Sequence, residues 1–234
     1  MNQSTHHHDH SGDAEPTLAE MREALTAGFG DARYAGSDRV WSGRANQRLV
    51  EQVADLTPGT ALEVACGEGA DAVWLATQGW QVTAVDVSEV ALAKVAEHAE
   101  EAGVGERLRL GFYDALTDER PVPRKRFDLV TVSFLHVPEP DFARIYAGIA
   151  SAVAVGGRLL VTAHHPHDVE SGVRRPHGPG LLFDPARVLT ALGADDAQPG
   201  PWEVEVAAVQ EREQVVGGEA VVVHDTVVRL RRRA

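Results

Sequence analysis

An acid, a cysteine, two glycines and a second acid fall close together as Glu63, Cys66, Gly67, Gly69 and Asp86 in the stretch from Ala61 to Asp86. Two glycines in a turn let backbone approach a ligand closely, and a helix starting just after them offers free N–H groups to it. Gly67-Glu68-Gly69-Ala70-Asp71-Ala72 satisfies the G-x-G-x-x-[GA] pattern of dinucleotide sites. Asp86 follows at roughly the 20-residue interval expected of an acid that meets ribose hydroxyls. The hexapeptide alone is weak evidence. Glu63, an acid inside the preceding strand, is a poor neighbour for a pyrophosphate and suits an amino or sulfonium cation.

These residues need strands and helices to hold them. Ala61 to Ala65 predicts a strand, Ala70 to Gly79 a helix and Gln81 to Val85 a second strand, which is half of a nucleotide-binding βαβ unit. Ser88 predicts a helix cap, with Val90, Leu92, Val95 and Ala96 as the buried stripe. Leu108 to Tyr113, Phe127 to Phe134 and Arg158 to Ala163 predict further strands. A helix from Pro140 or Asp141 to about Val153 precedes the last of these. A short helix from Phe183-Asp184 to Leu192 then precedes two β-rich runs, Trp202 to Val216 and Ala220 to Arg231, with Gly217-Gly218 as a hairpin signal.

Ahead of this unit, Thr17 to Ala27 predicts a helix with Thr17 and Glu20 as a capping box. Phe29 to Gly43 predicts a loop whose Phe29, Tyr34 and Trp41 either dock on the core or form a flap over a ligand. Arg44 to Leu56 predicts a helix with Leu49, Val50 and Val53 inward. The domain assignment is a His-rich, disordered tail over 1–16 and one domain over 17–234, with a helical and aromatic flap over 17–56. His164 to Phe183 lacks periodicity, as functional loops commonly do.

A chain of 234 residues fits one α/β domain. Its formal charge of −13 disfavours nucleic acid or anionic lipid as partners. No apolar run is long enough to span a bilayer. Cys66 is the one cysteine, which excludes an internal disulfide and fits a reducing, cytoplasmic setting. Beside a helix N-terminus a thiolate would be stabilised, but a small residue with a purely steric role is the expectation at that position, not a nucleophile. His164, His165, His167 and Asp168 lack a second regularly spaced cluster, so no metal site is expected.

In a doubly wound sheet, ligands bind beyond the carboxyl ends of the strands. Taken together, the residues there resemble the motifs of class I S-adenosylmethionine-dependent methyltransferases. The acid and glycine turn are Glu63-Val64-Ala65-Cys66-Gly67-Glu68-Gly69, with Ala65 where the family has its first glycine. Asp86 and Asp114 match the ribose-side and adenine-side acids, Phe127 to His136 the fourth-strand motif, and Gly156-Gly157 the pair before the fifth strand. The resemblance is nearest to the small-molecule branch that includes tellurite-resistance and thiopurine methyltransferases.

The resemblance implies a Rossmann-like, doubly wound α/β sheet of seven strands in the order 3-2-1-4-5-7-6, the last antiparallel. It implies S-adenosylmethionine as cofactor, held by Tyr34, Trp41, Glu63, Ala65, Cys66, Gly67, Gly69, Asp86, Val87, Asp114, Ala115, Ser133 and Phe134. The expected activity is methyl transfer to a small-molecule thiol or chalcogen, hydroxyl or amine, by a monomer or homodimer. His136, His164 and His165 are the candidates for contacting the acceptor, and a soft acceptor needs no base. A non-catalytic S-adenosylmethionine-binding regulator and an NAD-binding oxidoreductase remain open alternatives.

Overall fold

Side-chain caps at Thr17, Thr26, Asn46, Ser88 and Asp184 start five helices of the computed structural model, which describes residues 15–36, 43–122, 126–169, 173–176, 178–194 and 200–233. Helix α1 (Leu18–Glu23) starts with the expected capping box, Thr17 N–H donating to the Glu20 carboxylate at 2.7 Å. Helix α2 (Ala27–Ala35) occupies much of the stretch expected to be loop. Thr26 caps it, and Gly30 lets it pack against Ser88, where an added methyl would lie 3.0 Å from the Ser88 Cβ. Helix α3 (Gln47–Val53) is shorter than expected because Asn46 caps it, and Val50 faces solvent while Leu49 and Val53 are buried.

The alternating units follow as β1 (Thr60–Val64), α4 (Ala70–Thr77), β2 (Gln81–Asp86), α5 (Glu89–Glu101) and β3 (Leu108–Phe112). Then come β4 (Phe127–Ser133), α6 (Phe142–Ala150), β5 (Val153–His164), α7 (Pro185–Leu192), β6 (Trp202–Val216) and β7 (Glu219–Arg232). Ser88 caps α5, but the buried stripe is Ala91, Leu92, Val95 and Ala99, while Ala96 is exposed and Val90 half-buried. Stepping by three and four from Leu92 tracks the sheet more closely than the expected set did.

The seven strands form one sheet in the order β3-β2-β1-β4-β5-β7-β6. Strands β1 to β5 pair in parallel, and β7 runs antiparallel to both β5 and β6, as the sequence resemblance implied. Leu159 and Val161 of β5 face a core with Phe127, Phe142, Tyr146 and Phe183, whereas Leu160 faces a second core with Leu49, Leu75, Trp80 and Val227. Helices therefore cover both faces, which is why β4 reads as a nearly continuous apolar run. Among the described residues, no helix is long and apolar enough to cross a membrane.

Strand β5 starts before the Gly156-Gly157 pair rather than after it. Gly157 is confined by backbone: an added Cβ would lie 2.8 Å from the Phe127 carbonyl oxygen and 3.0 Å from those of Ala154 and Asp128. Gly28, in α2, has nothing within 4 Å of such an atom. Gly157→Ala is expected to lose about 1–3 kcal/mol by overpacking, and Gly28→Ala to gain up to about 1 kcal/mol of helix propensity. Urea denaturation of the two variants measures both.

Candidate active site

Three acids meet where β1, β2 and α4 end or begin. Glu63 is the penultimate residue of β1, Asp86 ends β2, and Asp71 lies in the first turn of α4. All three are buried. Asp86 is held by two backbone donors, Gly67 N–H and Ser88 N–H, each at 2.9 Å from one carboxylate oxygen. Asp71 accepts Asn46 N–H at 2.6 Å and the Ser133 hydroxyl at 3.1 Å. Glu63 differs: its Oε2 is buried with no hydrogen-bond partner among the described residues.

The local backbone explains why the acids converge. Ala65, Gly67 and Gly69 all have left-handed φ values, 56°, 52° and 78°, so the chain reverses tightly between β1 and α4. For Ala65 that conformation is strained, since only glycine visits it freely. Gly69 also packs on Val95, where an added Cβ would meet a side-chain methyl at 2.7 Å. Burial, reinforced by Asp71 and Asp86, pushes the Glu63 carboxyl well above the ordinary carboxylate range. Asp86 and Asp71 are raised by burial too, with their N–H and hydroxyl donors acting the other way.

Cys66 does not become a reactive thiolate. Burial, then Asp86 and Glu63, push its thiol well above its ordinary value, overcoming the helix-terminus effect expected from sequence. Val87 is half-buried between Asp86 and Ser88. Asp114 closes a turn instead of projecting freely, with one carboxylate oxygen accepting Leu116 N–H at 2.8 Å. Ala115 is buried in the core beside Tyr113.

At the ends of β4 and β5 lies a stack of rings. Phe134, with a left-handed φ of 56°, sits 4.4 Å from the His164 ring, and His136 stacks on His164 at 5.2 Å. His136 Nε2 and His164 Nδ1 are buried without hydrogen-bond partners among the described residues. Burial, then the Arg175 charge, lowers His136 to about 4, and the same causes push His164 lower still, so both rings are neutral at physiological pH. His165 leaves this stack: its Nδ1 accepts His167 N–H at 3.2 Å in a turn. Asp168 is taken by Arg175 and His224, at 2.9 Å from Arg175 Nε and 2.7 Å from His224 N–H.

The N-terminal helices roof this edge through residues the sequence did not single out. Arg22 of α1 makes a two-pronged pair with Asp141 at 2.7 and 3.1 Å, ahead of α6. Asp31 of α2 accepts the Ser88 hydroxyl at 2.6 Å and Val90 N–H at 3.3 Å, at the start of α5. Asn46 reaches Asp71 and also Ser133, its Nδ2 donating to Ser133 Oγ at 3.3 Å. Only Asn46 had a sequence signal, as a cap residue before a helix. Tyr34 is half-buried on α2, while Trp41 and the tail histidines lie outside the described residues. An open cleft of about 460 Å³ beside Pro58, Trp80 and Gly157 lies at the opposite edge of the sheet.

An acid-lined glycine turn, at the carboxyl edge of a sheet ordered 3-2-1-4-5-7-6, defines a nucleotide-binding α/β domain of the methyltransferase type. Residues 61–157 match the family model described as a methyltransferase domain. By fold and by this match, residues 61–157 resemble the domain of class I S-adenosylmethionine-dependent methyltransferases. It is 34% identical over 113 residues to the ubiquinone biosynthesis O-methyltransferase of Azotobacter vinelandii, a match covering 47% of this chain and 47% of that one. The chain thus spans about half the length of the curated relatives it matches. Two solved structures share the fold. A SAM-dependent methyltransferase from Anabaena variabilis has a TM-score of 0.68 at 14% identity, covering 94% of this chain and 98% of that one. TehB from Haemophilus influenzae has 0.63 at 18%, covering 80% and 62%.

Because Glu63 is raised by folding, its contribution to stability is lost as pH rises above the unfolded carboxyl value of about 4.5 and through the higher folded one. Glu63→Gln is therefore expected to stabilise the ligand-free protein, by about 1 kcal/mol or more at pH 8. The gain should shrink toward pH 4.5. Chemical denaturation at several pH values tests this.

Proposed function

We propose that the chain transfers a methyl group from S-adenosylmethionine to a small-molecule acceptor, releasing S-adenosylhomocysteine. The observation that carries this is the buried Glu63 oxygen beside the glycine turn, without a partner among the described residues. An acid so placed gains a partner when a cationic ligand arrives, and it would repel a pyrophosphate. The sheet also ends in the β6–β7 hairpin in place of a second dinucleotide half. Both features disfavour NAD.

Bound S-adenosylmethionine supplies an electrophilic methyl on a sulfonium. Glu63 would accept from its amino group, Asp86 from the ribose, and the Asp114 turn would border the adenine. The α1–α3 roof would exclude water, so that holding methyl and acceptor in line supplies most of the catalysis. As the acceptor's lone pair forms the new bond to carbon, the C–S bond breaks and its electron pair stays on sulfur. An acceptor hydroxyl or amine then loses its proton, which a neutral His136 or His164 would accept. The O-methyltransferase relatives and the ring stack favour a protic acceptor over a soft one. His165, turned toward His167, is given no such role.

Calorimetry with S-adenosylmethionine, S-adenosylhomocysteine and NAD is the direct test. Binding of the first two with no heat from NAD is expected; NAD binding alone would overturn the proposal. Asp86→Ala and Glu63→Gln should each weaken S-adenosylmethionine by at least about tenfold, the scale of one charge-assisted hydrogen bond. S-adenosylmethionine that binds but yields no S-adenosylhomocysteine with any thiol, phenol or amine would instead identify a regulatory binder.

With His136 neutral down to about pH 4, kcat/KM for an active acceptor should show no acid limb between pH 7.5 and 5.5. A limb near pH 6.5 would show that these rings titrate as ordinary histidines.

A further inference from the structure

Four buried acids surround the glycine turn, Glu63, Glu68, Asp71 and Asp86. Lys94 of α5 pairs with Glu68 at 2.9 Å. Asp71 is held differently: its Oδ1 accepts Asn46 N–H at 2.6 Å and its Oδ2 accepts the Ser133 hydroxyl at 3.1 Å. Both donors are neutral, so they stabilise the carboxylate and leave its negative charge in place. Glu63 registers that charge. After burial, Asp71 does most to raise the Glu63 carboxyl, ahead of Asp86.

The sheet fixes where this charge stands. Glu63 and Thr131 are register neighbours on β1 and β4, so their side chains project to the same face. Ser133 lies two residues beyond Thr131, on that face and at the carboxyl end of β4. A carboxylate bonded to Ser133 is therefore one step nearer the carboxyl edge than Glu63, beside the ring wall that Phe134 begins. For transfer, the donor's methyl has to face that wall, where His136 stacks on His164. With the donor's amino group at Glu63 and its ribose at Asp86, the sulfur falls on the Asp71 side of the crevice.

Resting on the methyl-transfer reading above, we propose that Asp71 is a specificity-determining residue that separates S-adenosylmethionine from S-adenosylhomocysteine by the charge on sulfur. The sulfonium is attracted to the carboxylate across a buried, weakly screened space. When the methyl leaves, the C–S bond pair stays on sulfur as a lone pair, the thioether is neutral and the attraction ends. Product then leaves more readily than donor. The two ligands are alike in their amino, ribose and adenine groups, so contacts to those groups cannot supply this preference.

Calorimetry of the full chain at pH 7.5 tests this without an acceptor, using S-adenosylmethionine, S-adenosylhomocysteine and sinefungin, whose ammonium group replaces the methylsulfonium. Asp71→Asn keeps the side chain's size and an acceptor for Asn46 N–H while removing the charge. It should weaken S-adenosylmethionine and sinefungin by about tenfold or more, and S-adenosylhomocysteine by no more than about twofold. Easier ionisation of Glu63 in that variant acts on the amino group that all three ligands share, so it drops out of the ratio. Asn46→Ala disturbs the same contacts with the charge retained, and should shift all three affinities by one common factor. Should Asp71→Asn misfold by circular dichroism, Asp71→Ser replaces it. A common factor for Asp71→Asn, no change with any ligand, a loss that spares sinefungin, or an Asn46→Ala variant that narrows the preference as far would each overturn the assignment and leave the donor site standing. Wild type that binds none of the three would instead remove the reading beneath it.

Discussion

The structure depends on holding three carboxylates, Glu63, Asp71 and Asp86, close together in a buried turn. Like charges so confined repel, and each also loses its hydration. Two are compensated by protein donors: Asp86 by the N–H groups of Gly67 and Ser88, and Asp71 by Asn46 and Ser133. One oxygen of the third has no partner among the described residues. A fold that tolerates an uncompensated buried acid gives up stability at that position. The compensation of Asp71 in turn uses α3, whose cap residue Asn46 supplies one of its two donors, so the acid cluster and the position of that helix are linked.

The N-terminal layer works by the same chemistry at three places. Asp31 meets the start of α5, Asn46 meets the first turn of α4, and Arg22 holds Asp141 ahead of α6. Helix N-termini carry unsatisfied N–H groups, so acids gather there readily, and a basic residue can then reach those acids. The roof is thus fastened through the helix starts that frame the crevice. Its attachment and the site's electrostatics are linked, since Asp31 lies close enough to Asp86 to raise its carboxyl further.

Much of the architecture was legible in the chain because the α/β signals are local. Apolar runs, a capping box at Thr17, a cap at Ser88 and the Gly217-Gly218 turn each act within a few residues, and the strand order followed from motif resemblance. Boundaries were less legible where a cap overrode composition. Thr26 started a helix through a stretch whose glycines and aromatics suggested loop, and Asn46 delayed α3. The stripe of α5 was misjudged at Ala96 because several rotations of that helix bury comparable apolar area, and packing against the sheet decided among them.

The sequence by itself determined the acid and glycine turn, the acid at the end of β2 and the histidines beyond β4 and β5, because spacing along the chain and strand ends sufficed to align them. Tertiary structure alone decided which of these act together. It left one Glu63 oxygen without a partner among the described residues, buried the Cys66 thiol, stacked His136 on His164 and turned His165 away. It also brought Asn46 and Ser133 onto Asp71. Those last residues lie far apart along the chain, and only the packing of α3 and the end of β4 against the start of α4 makes them neighbours.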